Sequence, residues 1–190
     1  MIKTFGNVIE KPAESEGYLV IGFSPNSISI LQRWRNNGLS ADFLADYIVS
    51  FFPKDKNIPN NADKHIEIRS TVSYVANELL ENAMKFSDKK SSFPISIQLQ
   101  LYDNSIEFFV TNSILEESVI QFQTYIQTIL NSDTQELYID QLEKNAENEN
   151  SSNSGLGILT MINDYTAKIG WKFEINNQKN IVTTIVQLSI

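Results

Sequence analysis

An α+β fold is predicted for this chain: a two-layer sandwich with helices on one face of a mixed, mostly antiparallel sheet. Two pairs of short segments, 95–102 with 106–112 and 171–175 with 181–188, each flank a polar turn and read as hairpins. Between them, apolar residues recur at helical spacing, above all over 64–86. With 190 residues, 42% of them hydrophobic, the chain can bury one sizeable core, so a single domain over 1–190 is expected. No internal repeat is visible.

Taken in order, 5–8 and 18–23 have the composition of two short strands around the polar turn 10–17, an N-terminal hairpin. Ser24-Pro25-Asn26 is helix-start chemistry for a helix over 27–36, with Ile28, Leu31 and Trp34 on one face. Asn36-Asn-Gly38 is expected to stop it, and a second helix over 41–52 follows, capped by Ser40 or Asp42 and closed by Pro53. Polar residues 54–63 read as a loop. A long helix then starts at Lys64 or Ile68 and ends at Phe86. In 95–102, Ile95, Ile97, Leu99 and Leu101 alternate with Ser96, Gln98 and Gln100, the pattern of a half-buried strand, and Asp103-Asn104 turns the chain into its partner. Helices are expected over 116–130, from Val119, Phe122, Ile126 and Ile129, and over 135–146. Residues 145–154 are a low-complexity run of Asn, Ser, Glu and Ala. A helix from Gly155 to about Lys168 and a last hairpin around 176–180 complete the chain.

Composition excludes several classes. The chain has no cysteine, hence no disulfide framework, thiolate metal site or cysteine nucleophile. Its apolar runs are short, so no membrane span or membrane partner is expected, and Met1-Ile-Lys-Thr-Phe-Gly6 lacks the pattern of a signal peptide. A cytoplasmic location is expected. The net charge of −8 argues against nucleic acid as a partner, which needs a basic footprint. It leaves a nucleotide possible where local amines, backbone N–H groups and a divalent cation neutralise the phosphates.

The residues able to carry chemistry lie in three places. On the long helix, at about 100° per residue, Glu78, Asn82 and Lys85 fall within roughly 60° of one another, with Glu81 beside them. They form a narrow polar stripe on a helix that is otherwise apolar. A solvated face with a Glu81–Lys85 pair, worth a few tenths of a kcal/mol, accounts for it equally well taken singly. Ser154-Gly-Leu-Gly157 opens a helix, where free backbone N–H groups can meet an anion; a plain N-cap with a tight turn is the competing account. The third place is the strand end Val110-Thr-Asn112.

Together these pieces resemble the GHKL ATPase superfamily. Glu78-Leu-Leu-Glu-Asn-Ala-Met-Lys-Phe-Ser87 resembles its N box and Gly155-Leu-Gly157 its second glycine box, over roughly residues 68–188. The resemblance implies the two-layer fold of that superfamily, an ATPase-like core over 68–190 with a lid at about 113–154, and residues 1–67 serving packing or dimerisation. It implies ATP and Mg²⁺ as cofactors: Asn82 as the Mg²⁺ ligand, Glu78 as catalytic base, Lys85 near the phosphates, and Gly155, Leu156, Gly157 and Ile158 along the phosphate tail. Thr183 or Thr184 would lie near the adenine. The nearest members are stand-alone serine/threonine kinases of the anti-sigma, partner-switching type, which pair as homodimers and phosphorylate a small antagonist protein. A non-catalytic regulator that keeps the fold for protein binding is the alternative.

The first glycine box departs from the family. Its Asp-x-Gly-x-Gly should fall at Asn112-Ser-Ile-Leu-Glu116, where Asn112 stands for the adenine-binding aspartate and both glycines are missing. An asparagine carbonyl still accepts a bond from the adenine amino group, with weaker selectivity, while the missing glycines imply a different lid hinge. His65 is expected to be an ordinary surface or helix-start histidine. Trp34, Phe43, Tyr47, Phe51 and Phe52 read as core or dimer-contact aromatics.

Overall fold

The computed structural model describes residues 2–8, 15, 17–24, 30–52, 61–147 and 155–190, with 30–35, 61 and 62 described by their backbone alone. The elements are β1 (Ile2–Gly6), β2 (Gly17–Phe23), α1 (Ile30–Val49), α2 (Asn61–Phe86), β3 (Ile95–Tyr102), β4 (Ser105–Ile114), α3 (Glu116–Asn131), α4 (Thr134–Glu147), α5 (Gly157–Asn163), β5 (Lys168–Asn176) and β6 (Lys179–Ser189). Six strands form one sheet in the order β1-β5-β6-β4-β3-β2. The α+β class holds. The sheet is wholly antiparallel, where a mixed one was expected. The cause is the entry point of the last hairpin: the chain reaches β5 first, and β6 folds back between β5 and β4, antiparallel to both.

Alternation sets the two faces. Ile95, Ile97, Leu99 and Leu101 of β3, Ile106, Phe108 and Val110 of β4, Trp171 and Phe173 of β5, and Val182, Val186 and Leu188 of β6 share one core with the helices. Against this face α2 lays Val72, Val75, Ala76, Leu79 and Ala83, while α1 adds Ala41, Leu44, Ala45 and Ile48. The two helices are also strapped at the surface. Arg69 Nε donates to Asp46 at 2.7 Å, and Ser73 Oγ donates to Asp42 at 2.9 Å.

Several further expectations differ from the structure. The N-terminal strands form no hairpin: β1 pairs with β5 and β2 with β3, at opposite edges of the sheet. Each edge offers its strand an apolar partner, Phe5 meeting Phe173 edge-on and Leu19 lying opposite Leu99. The expected break at Asn36-Asn-Gly38 is absent, because α1 runs straight through it. Glycine inside a helix costs only about 1 kcal/mol, and burial of Ala41, Leu44, Ala45 and Ile48 on α2 outweighs it. Next, α5 stops at Asn163 rather than near Lys168, because Thr166 takes φ 50° and turns the chain into β5. Within the stretch read as a lid, α3 packs on the core: Ile126 is fully buried, and Phe122 meets Phe173 edge-on at 5.7 Å. The last turn is also tighter than read, with Asn177 and Gln178 both at positive φ between β5 and β6. His65, expected to be a surface or helix-start histidine, lies in the second turn of α2 and is buried beside Phe52. Ser27, Pro53 and the low-complexity residues 148–154 lie outside the described residues, as do the side chain of Trp34 and most of the turn 10–17.

The exit from β1 crosses the face away from the helices. Asn7 N donates to Ile169 O at 2.9 Å, and Asn7 Nδ2 reaches Gln187 Oε1 at 3.4 Å. Gly170 lies beneath this crossing, where a Cβ would collide with the Asn7 carbonyl and stand 2.9 Å from Val8 N. The obstruction is backbone, so it cannot rotate away. Gly170→Ala is therefore expected to lower stability by about 1–3 kcal/mol, read as a reduced midpoint in denaturant unfolding. A midpoint equal to wild type would mean that this crossing does not form.

Candidate functional site

The polar stripe of α2 emerges where the helix turns from its two apolar contacts, the sheet and α1, toward α5. Glu78 and Asn82 are half-buried there, and Lys85 is exposed. Glu78 is packed directly against the start of α5: its carboxylate occupies the space that a Cβ at Gly157 would need. The N-box-like glutamate and the second of the two glycines, far apart in sequence, thus touch. Burial pushes the Glu78 carboxyl above its ordinary value, and the neighbouring Glu81 adds to the rise.

Around this contact stand residues that sequence reasoning had not singled out. Tyr74, one turn before Glu78, stacks on Tyr165 with centroids 5.1 Å apart and planes at 24°. Its phenol is pushed up by burial, against a lowering hydrogen bond with Thr160 of α5. Tyr74 sits at i−4 from Glu78, a spacing that was open to inspection; nothing in the sequence marked Thr160 or Tyr165 as its neighbours.

Asn112 is reached through the far end of α2. Ser87, the residue after the helix, makes an isolated bridge with Ile114, and Asp88 N donates to Ser113 O at 3.2 Å. That same carbonyl accepts Asn112 Nδ2 at 2.9 Å. The last turn of α2, carrying Asn82, is thereby fastened beside the end of β4, where Asn112 is buried on the helix side. β4 runs on to Ile114, and the chain passes through Leu115 directly into α3 with no left-handed residue at the junction.

Two of the expected neighbours separate. Thr183 and Thr184 are adjacent on β6 and point to opposite faces. Thr183 pairs with Thr111, oxygen to oxygen at 3.0 Å, while Thr184 lies beside Val110 on the helix side. Only Thr184 therefore faces the layer that holds Glu78. The Glu81–Lys85 pair of the competing account does not form either. Glu81 instead accepts Asn77 Nδ2 at 2.8 Å, and Lys85 lies 5.6 Å from the Phe86 ring centre.

At the glycine motif, Gly155 takes φ 63° and faces the Gln141 side chain of α4. Leu156 begins α5 with no side-chain cap, and Ile158 packs on the core. With seven residues, α5 is too short for much of a dipole, so the anion-binding argument rests on local N–H groups. Helix α4 closes over this end: Thr134 Oγ1 donates to Asn163 Oδ1 at 2.7 Å, and Asn163 Nδ2 returns to Thr134 O at 3.0 Å. A cleft of about 280 Å³ runs between the first half of α2 and the α5–β5 turn, lined by Lys64, Ile68, Asp164 and Thr166. A groove of about 230 Å³ lies between β2 and α1. Neither is lined by Glu78, Asn82 or Asn112.

No protein-family model matches the chain, and no curated protein matches it. Among the described residues, no helix is long and apolar enough to cross a membrane.

What the arrangement offers chemically is a carboxyl held partly out of water beside backbone glycine, an amide one turn further on, and a second amide at a strand end. The raised Glu78 value sets a pH dependence. A carboxyl whose folded value lies above its unfolded one favours the folded state in its protonated form. Its contribution is fully present below the unfolded value near 4.5 and is lost as pH rises through the folded value. Glu78→Gln, which cannot ionise, is expected to match wild type in stability below that range and to exceed it at neutral pH, measured by thermal unfolding across pH. Parallel curves for the two proteins would refute the assignment.

Proposed function

We propose that the protein is a GHKL-type regulator. In this reading it binds Mg²⁺ and ATP between α2 and α5 and transfers the terminal phosphoryl group to a serine or threonine of a small antagonist protein. The observation that carries the reading is the contact between Glu78 and Gly157, which joins the two motifs on which the resemblance rests. The fastening of Asn82 beside Asn112 through Ser87 and Asp88 supports it from the other side.

The donor set suits a cation that arrives with phosphate oxygens. Asn82 offers one amide oxygen, the share that Mg²⁺ commonly takes from a protein when a polyphosphate supplies the rest. Bound there, the metal would offset the charge on the phosphate oxygens. Glu78 would accept the proton of the partner's hydroxyl as its oxygen bonds to the terminal phosphorus and the bond from that phosphorus to the bridging oxygen breaks, releasing ADP. Its raised value brings it nearer the range where a general base works at neutral pH. Gly157 leaves room for that carboxylate, which any side chain at 157 would displace. Lys85 is exposed at the end of the stripe, within reach of solvent-borne phosphate as a point charge. Thr184 and Asn112 are the polar groups that remain on the adenine side.

A second reading is favoured by one observation. With β4 running into α3 without glycines, the hinge on which the family's lid depends is missing. A regulator that keeps the fold for partner binding, without turnover, fits that junction.

Thermal unfolding with and without Mg²⁺ and ATP separates the two. At a ligand concentration 100 times Kd, stabilisation of about 2.7 kcal/mol is expected for wild type and its loss for Asn82→Ala. Glu78→Gln is expected to keep the shift while its phosphotransfer rate drops about 10²–10⁴-fold. Absence of any nucleotide-dependent shift in wild type would remove the kinase reading and leave the binding one.

A further inference from the structure

We infer that the cleft between the first half of α2 and the α5–β5 turn is a binding site for a small zwitterion with an apolar body, the chemistry of a free apolar α-amino acid. The inference is independent of the nucleotide reading, since none of Glu78, Asn82, Asn112 and the glycine motif lines this cleft.

The cleft follows from the shortness of α5. That helix ends at Asn163, and Thr166 at φ 50° turns the chain into β5, so a turn rather than a helix stands beside the first half of α2. Along α2, Lys64, Glu67, Ile68, Thr71 and Val72 recur at three- and four-residue spacing and make one wall. Asp164, Tyr165 and Thr166 stand on the other. Ile106 at the start of β4 and Leu188 near the end of β6 supply apolar surface between them, and both are buried, as is Val72. The volume of about 280 Å³ is the room of about nine waters, just below the usual range of sites for drug-sized ligands. It suits one branched or aromatic group with its charged atoms.

The apolar lining is bordered by charge. Lys64 and Glu67 belong to the α2 wall and Asp164 to the opposite one, all three exposed. Among the described residues none of the three has an ion-pair partner. An ammonium between Glu67 and Asp164 and a carboxylate at Lys64 would each gain a charge-assisted hydrogen bond. The apolar body would then lie on Ile68, Val72, Ile106 and Leu188, and the hydroxyls of Thr71, Thr166 and Ser189 serve the remaining donors and acceptors. Other occupants fit less well. Two carboxylates against one amine repel a polyphosphate. Among the described residues no group of three His, Cys, Asp or Glu could hold a metal ion. A wholly apolar molecule would strip water from these charges and give them no partner.

The place of the cleft ties it to the helix that carries Glu78. Its occupant would touch Tyr165, whose ring stacks on Tyr74 at 5.1 Å. The Tyr74 phenol, raised chiefly by burial, also feels the negative charges of Glu78 and Asp164. An ammonium at Asp164 would offset one of them, so a filled cleft is felt one turn away from Glu78.

The test titrates the full chain with L-leucine, L-methionine and L-phenylalanine, by calorimetry and by thermal unfolding, with L-aspartate and L-lysine as controls. At least one of the apolar three is expected to bind and to raise the unfolding midpoint, and the two controls are not. For that amino acid, Lys64→Gln and Asp164→Asn are each expected to weaken binding at least about tenfold. Both side chains are exposed and hold no ion pair among the described residues, and a wild-type circular dichroism spectrum checks that each variant folds. The matching amine without its carboxylate, and the matching acid without its amine, are expected to bind at least about tenfold more weakly than the amino acid. Failure of wild type to take up any of the apolar three would overturn the inference. So would affinity unchanged in both variants, equal affinity for the charged controls, or equal affinity for an analogue that lacks one of the two charges.

Discussion

The structure depends on the burial of α2 on two sides at once. Its 26 residues lie on the sheet through Val72, Val75, Leu79 and Ala83 and carry α1 on a second flank. A helix so enclosed keeps only a narrow polar strip, and whatever occupies that strip is held in place by the packing on either side. Glu78 is half-buried for this reason, and the same enclosure lifts its carboxyl. Core packing and the electrostatics of the candidate site are one arrangement seen from two sides. A cavity cut into the helix near Leu79 or Ala83 would therefore disturb Glu78 and Gly157 as well as the core.

The readable parts of the fold were those whose signal is local. The alternation of Ile95, Ile97, Leu99 and Leu101 located β3 to the residue, and the spacing of Phe122, Ile126 and Ile129 located α3 within one. What stayed illegible was decided by distant partners. Gly38 looked like a helix stop because its local cost is real, and only the packing of Ala41 to Ile48 on α2 shows why it is overridden. The two N-terminal strands looked like a hairpin because sequence neighbours usually pair, yet each found a longer apolar strand at a different edge.

The site divides in the same way. Spacing alone grouped Glu78, Asn82 and Lys85, since one helix carries all three. The meeting of Glu78 with Gly157 is tertiary, and no periodicity links α2 to α5. The choice between Thr183 and Thr184 needed the register against β4, which decides the face of each. Tyr74 went unremarked because an aromatic on a core helix ordinarily belongs to the core, and its stacking partner Tyr165 lies in the turn between α5 and β5, far away in sequence.

The junction after β4 bears on how the site could open. A hinge needs residues that can change backbone angles, and Ser113, Ile114 and Leu115 are poor ones, since the first two are buried and paired with β6. Beyond them α3 is tied to the sheet by Ile126, by Phe122 on Phe173 and by Lys3 on Gln123. Movement confined to this region falls to α4, which has no buried residue and is held at its start by the reciprocal Thr134–Asn163 bonds. Those bonds join α4 to the end of α5, and Gln141 lies against Gly155 at the other end. Swinging α4 away would free Gly155 while leaving α3 in place. α4 is thus tied to α5 through Thr134 and Asn163 and to Gly155 through Gln141, while α3 is held independently by the sheet.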